Sequence, residues 1–197
     1  RTALRTRTAL YGHEALEHLL SRHLRTRLIE DLAVPFMCCA ASVQKAAEHW
    51  FTSGPIIPAV LASSAVPGLF PAYEIDGEHF IDGGIVNSIP LDRARKSGAE
   101  RVFVLQVGRI EQPLEPATNP LEVGLVAFEI ARRARFAAAL KRSQGELEVH
   151  VLPSGGAAPR YNDKASMGYS DTSLIPQRIA LARNASTAYL QDRGITS

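Results

Sequence analysis

The chain has 197 residues, of which 46% are apolar and 21% charged, and its net charge is +2. That length holds one compact domain with a real core, and the composition is globular, neither disordered nor fibrous. So small a charge does not imply nucleic acid or an anionic membrane as partner, and no apolar run is long enough to span a bilayer.

The first residues carry Arg1, Arg5 and Arg7 without an acid. This pattern reads as a solvated face rather than an arm for phosphate groups. The chain opens on Arg1, not Met, so further residues are expected before it. Leu16, Leu19, Leu20 and Leu24 recur at helical spacing and predict a helix over 14–28. Residues 34–41, VPFMCCAA, form a continuous apolar run, as in a strand buried on both faces of a mixed α/β sheet. A short return strand is expected over 48–52. Ser53-Gly54-Pro55 marks the entry to a helix over 56–65. Asp76-Gly77 predicts a hairpin turn between strands 73–75 and 79–81. Asn87 or Ser88 is placed to cap a helix with Pro90 in its first turn and Gly98 just past its end.

Residues 101–107, RVFVLQV, read as a second buried strand. A loop over 110–120 precedes a long helix over 121–142. Leu125, Phe128, Phe136 and Leu140 give that helix an apolar stripe, and Arg132, Arg133 and Arg135 a solvated basic side. A third strand is expected over 147–152, a Gly/Ala/Pro loop over 154–159, and a last helix over 174–191 with Ile175, Ile179, Ala182 and Tyr189 on one side. The adjacent Cys38 and Cys39 cannot form an unstrained disulfide with each other. They are expected to be buried, reduced thiols, which agrees with a reducing compartment.

No Gly-x-Ser-x-Gly elbow occurs. The nearest approach, Gly168-Tyr169-Ser170-Asp171-Thr172, lacks the second glycine, and Ser63 and Ser64 fall inside a helix-like run. No nucleophile is therefore assigned within the chain. The six histidines fit no metal pattern, no phosphate-binding glycine motif is present, and no metal or cofactor is expected. His79, close to Asp82, is the one histidine that merits a test.

The dense segment lies between Gly54 and Pro90. It runs Ala62-Ser63-Ser64-Ala65-Val66-Pro67-Gly68-Leu69-Phe70-Pro71, then the Asp76-Gly77 hairpin, then Phe80-Ile81-Asp82-Gly83-Gly84-Ile85-Val86-Asn87-Ser88-Ile89-Pro90. Asp-Gly-Gly alone is merely a good turn. The ordered combination resembles the patatin-like phospholipase family, whose pattern is a small-residue helix ending ASxAxPGxFP, a hairpin, DGG or DGA, and an Asn-x-Pro helix start. The flanking strands resemble family members more loosely.

The resemblance implies an α/β, three-layer sandwich, with a mixed, mostly parallel sheet between helices. Residues 1–197 would be a single patatin-like catalytic domain without its N-terminal, nucleophile-bearing part. It implies a lipid acyl hydrolase of phospholipase A or lysophospholipase type with a Ser–Asp dyad, in which this chain supplies Asp82. Gly83 and Gly84 would allow the sharp turn, Pro67 and Gly68 would shape the adjoining loop, and Asn87 would hold the Asp82 loop. Leu69 and Phe70 would line an acyl pocket or fill core. The implied partner is a lipid or phospholipid ester, with transient membrane-surface contact, in the cytoplasm or at a membrane periphery. The chain by itself would be inactive. The alternative is a non-catalytic patatin-like domain that binds lipid or a protein partner.

Overall fold

A computed structural model describes residues 9, 11–105, 113–118, 120–156 and 173–195. The basic stretch holding Arg1, Arg5 and Arg7, and the Gly168–Thr172 stretch, lie outside the described residues. The chain divides into two units, Arg1–Ile89 and Pro90–Ser197.

In the first unit, helix α1 (Glu14–His23) is followed by a 3-10 turn (Ile29–Asp31). Then come strands β1 (Cys38–Ser42) and β2 (Ala47–Phe51), helix α2 (Ile56–Ser63), strands β3 (Tyr73–Ile75) and β4 (Glu78–Asp82), and the short helix α3 (Gly84–Asn87). The strands form one sheet in the order β2-β1-β4-β3, and every neighbouring pair is antiparallel. Central β1 is buried along Cys39–Ser42, as the apolar run predicts. Its start is later than expected: Val34 is 75% exposed, and Pro35 has no N–H for a ladder. Small side chains at Ala40 and Ala62 let α2 approach the sheet, and Phe80 fills the space between them.

Helix α1 stops at His23, short of the Leu28 that the leucine spacing suggests. Leu24 takes extended backbone, and Leu28 bridges to Pro55. The N–H of Ile29 donates to Gly54 O (2.9 Å) and that of Ile56 to Arg27 O (3.0 Å). Pairing with a distant segment overrides local helix propensity here.

The second unit contains α4 (Leu91–Lys96), β5 (Arg101–Leu105), α5 (Pro120–Arg142), β6 (Glu148–Leu152) and α6 (Ile175–Asp192). Strands β5 and β6 are parallel, from Arg101 opposite Glu148 to Leu105 opposite Leu152. Intervening α5 makes this a crossover unit, the connection that parallel neighbours require. The expected mixture of helix and sheet is present. Among the described residues, however, the pairing is mostly antiparallel rather than mostly parallel, because tight turns join β1 to β2 and β3 to β4.

Three further expectations change. Helix α4 has Pro90 at its N-cap position and no side-chain cap, so neither Asn87 nor Ser88 caps it. Gly98, just beyond the helix, has φ +84 as a helix stop should. On α5, Phe136 is buried and Phe128 and Leu140 are half-buried; the Leu125 side chain lies outside the described ones. The basic side is not freely solvated. Arg132 and Arg133 are tied to Glu129 at 2.6 and 2.8 Å, and all three are largely covered. On α6, Ala182 and Tyr189 lie on the covered side as expected, but Ile175 and Ile179 are 46% and 62% exposed, and Ala185 and Ser186 take their place on that side.

Candidate functional site

Strand β4 ends on Asp82, opposite Ala40 of β1. Side chains alternate along a strand, so Asp82 shares a face with Phe80 while His79 and Ile81 point the other way. Phe80 lies against Ala40 and Ala62 in the core, so the aspartate leaves the sheet at the edge of that core, half-buried. The chain then turns at once. The Gly84 N–H donates to Asp82 Oδ1 (2.6 Å), a side-chain-to-backbone turn of the kind Asp favours.

Two backbone bonds fix this turn to the C-terminal end of α2. The N–H of Asp82 donates to Ala65 O (3.0 Å) and that of Gly83 to Ser63 O (3.2 Å). The Ser63 hydroxyl donates to Cys39 O (2.7 Å). Gly83 has φ −64 and ψ −17, ordinary helical values, so backbone freedom is not why glycine stands there. Its reason is space: a Cβ at residue 83 would overlap the carbonyl of Cys39. A glycine is thus needed to bring the Asp82 turn against β1.

The neighbouring loop is also held by backbone chemistry. Leu69 N–H donates to Val66 O (3.0 Å), and Gly68 has φ +81. Pro67 followed by a positive-φ glycine is the signature of a type II turn. The expected hairpin is present, with φ +51 at Asp76 and +78 at Gly77, the double-positive pattern of a type I′ turn. Leu69 and Phe70 are half-buried. Tyr11 N–H donates to Leu69 O (2.9 Å), and the His13 ring stacks on Phe70 at 5.6 Å. His13 Nε2 also donates to Pro71 O (2.9 Å). The clamp formed by Tyr11 and His13 has no signal in the sequence, since a lone histidine at a helix start resembles any surface histidine.

Asn87 holds the region by a route that capping did not suggest. Its Nδ2 donates to Glu48 Oε2 (3.0 Å), tying α3 to β2. His79 is exposed on the opposite face from Asp82, with Gln44 at 3.0 Å and Glu74 at 3.7 Å, so it does not join a triad. Both cysteines are free thiols. Burial pushes Cys39 up to about 12, helped by the negative charges of Glu48 and Asp82. Burial likewise raises Cys38 to about 11. Thiols so strongly protonated are inert as nucleophiles at neutral pH.

Among the described residues no cluster of His, Cys, Asp or Glu is arranged to hold a metal ion. No helix of the described residues is long and apolar enough to cross a membrane. The local arrangement is thus a carboxylate on a rigid turn, with an ordered loop beside it.

Residues 1–95 match the family model for patatin-like phospholipase, a span that includes the whole Asp82 turn and its loop. Over that span the chain is similar to the patatin-like phospholipase family. It is 36% identical over 63 residues to an uncharacterized NTE family protein of Mycobacterium tuberculosis, covering 32% of this chain and 18% of that protein. Patatin-like phospholipase domain-containing protein 7 of Rattus norvegicus is 30% identical over 103 residues, 51% of this chain and 8% of the rat protein. Lysophospholipase NTE1 of Pyricularia oryzae is 28% identical over 100 residues, 51% of this chain and 7% of the fungal protein. The chain therefore spans less than a fifth of the length of these curated relatives. The patatin-like match covers the first unit and all of α4 except Lys96, and Asp82, Gly83, Gly84 and Asn87 all fall within it.

Proposed function

We propose that the complete protein is a lipid acyl hydrolase, phospholipase A-like or lysophospholipase-like, with a Ser–Asp dyad to which this chain contributes Asp82. In this reading residues 1–197 are part of one three-layer catalytic domain, and the serine comes from a segment outside these residues. The observation that carries the reading is the Asp82 turn: a half-buried carboxylate on backbone bonded to the end of α2. The patatin-like match over residues 1–95 supports it, as does the lysophospholipase name of the fungal relative.

A serine hydroxyl becomes a useful nucleophile only when a base takes its proton. A carboxylate held within hydrogen-bond reach and partly shielded from water can do so. Serine Oγ then attacks the ester carbonyl while Asp82 accepts the proton. Backbone N–H groups stabilise the oxyanion. Asp82 returns the proton to the departing alcohol, leaving an acyl-enzyme. Water attacks that ester, gives its proton to Asp82 and releases the fatty acid, and the proton goes back to serine. Leu69 and Phe70 line the acyl side in this reading, and Pro67 and Gly68 fix the loop that presents them.

The second reading, a non-catalytic domain that binds lipid or a protein, is favoured by the absence of Gly-x-Ser-x-Gly from these residues. Fatty-acid release from phospholipid by the full-length protein separates the two. Wild type should release acid and Asp82→Asn should be slower by about 10²–10⁴-fold, the usual worth of a general base. The 197 residues alone should release none. Equal release by wild type and the Asp82 variant would remove the role assigned to Asp82.

A further inference from the structure

At the other end of α2 from the Asp82 turn, the first unit carries a groove of about 510 Å³, lined by Arg25, Thr26 and Arg27 against Pro55, Ile57 and Pro58. The chain leaving α1 is extended at both Leu24 and Leu28. Burial alternates along it, with Leu24 and Thr26 half-buried and Arg25 and Arg27 exposed. Alternate residues of extended chain project to the same side. The two arginines therefore leave the segment together, with Cα atoms about 7 Å apart. That separation suits two guanidinium groups placed on either side of one phosphate, each offering paired N–H donors.

The segment is not free to collapse onto other charges. Its end is fixed by the Ile56 N–H to Arg27 O bond and the Ile29 N–H to Gly54 O bond. Neither arginine side chain has an ion pair among the described residues. The acid next along the chain, Glu30, is engaged with the Gly54 N–H at 2.7 Å. The opposite wall is apolar, and Pro55 and Pro58 have no N–H to offer. Inorganic phosphate would leave that wall in water, whereas the glycerol and first methylenes of a lipid would cover it.

We infer that the Arg25–Arg27 groove docks the phosphate of an anionic phospholipid head group at a lipid surface. Helix α2, with 8 residues, is about 12 Å long. The groove is thus a docking point at one end of the helix whose other end holds the Asp82 turn, and it takes no part in the reacting centre. The choice of a lipid rests on the hydrolase reading; the affinity for phosphate does not.

The test is co-sedimentation of the full-length protein with vesicles of phosphatidylcholine, alone or mixed with phosphatidic acid. Arg25→Gln with Arg27→Gln should lower partitioning onto the mixed vesicles about thirtyfold, as expected for two basic residues at an anionic surface. Removing two charges elsewhere, by Arg178→Gln with Arg183→Gln, should change it by no more than about twofold. Arg25→Lys with Arg27→Lys should restore only part of the loss, since lysine lacks the planar fork. Unchanged partitioning of the groove variant, or equal losses for the two Gln pairs, would overturn the inference. So would release of wild type by inorganic phosphate as effective as that by an equal concentration of a soluble short-chain phosphatidic acid at the same ionic strength, which would mean that the apolar wall adds nothing and would make free phosphate the ligand. Asp82→Asn should bind the vesicles as wild type does, so a failed hydrolysis test and a failed docking test are read separately.

Discussion

At the scale of single residues, Gly83 shows why the Asp-Gly-Gly signature is more than a turn. Its backbone angles are open to any residue, yet the position tolerates no side chain because the Cys39 carbonyl occupies the space. Gly83→Ala must push β1 and the Asp82 turn apart. Overpacking of this kind costs about 1–3 kcal/mol, and a rigid backbone atom on the other side argues for the upper end. Denaturant unfolding of the two proteins should show a loss of about 3 kcal/mol; a loss below about 0.5 kcal/mol would mean that the turn is not packed as described. Sequence alone conveys the glycine but not its reason, because close approach depends on a strand more than forty positions away.

Glu78 gives a residue-scale prediction in pH. It bonds Lys45 Nζ at 2.6 Å and accepts from the Ser42 hydroxyl. The Lys45 bond first, and the Ser42 bond second, hold its carboxyl below the ordinary 4.5. A carboxyl lowered in the folded state favours folding when it is charged. Its contribution is complete above about pH 4.5 and disappears as pH falls through the lower, folded value. Unfolding midpoints of wild type and Glu78→Gln should therefore differ near neutrality and converge in acid. A gap that is constant with pH would contradict the ionic origin.

At the scale of elements, the structure separates what is written locally from what is imposed at a distance. The Asp76-Gly77 hairpin, the Pro67-Gly68 turn and the Gly98 helix stop were legible because each needs positive φ, which few residue types accept. The burial of β1 was legible because its apolar run is unbroken. The end of α1 was not, since Leu24 and Leu28 continue the helical spacing and only pairing with Pro55 stops it. The bond from Asn87 to Glu48 was equally hidden, because capping already accounts for an asparagine before a helix. Helix α2 carries the Asp82 turn through packing, and Leu61 within it is fully buried. Leu61→Ala should destabilise the protein by about 3 kcal/mol, within the range for buried leucines. A thermal shift no larger than that of an exposed Leu19→Ala control would show that α2 is not anchored through its core face.

At the scale of the molecule, the patatin-like resemblance was readable from one stretch of turns, small residues and an aspartate, and the family match over residues 1–95 spans that stretch. The parallel β5–β6 pair agrees with the alternation of strand and helix in the sequence. The antiparallel first sheet does not follow from an apolar run, which is the same whichever way its neighbours point. The chain covers less than a fifth of the compared relatives, and the dyad proposed above takes its serine from outside residues 1–197. Labelling the full-length protein with a fluorophosphonate, which reacts with activated serines, tests this most directly. Wild type should label at one serine outside residues 1–197, and Asp82→Asn should label at the same serine more slowly by about a hundredfold or more. Equal labelling rates in the two proteins, or no labelled serine in wild type, would contradict the account.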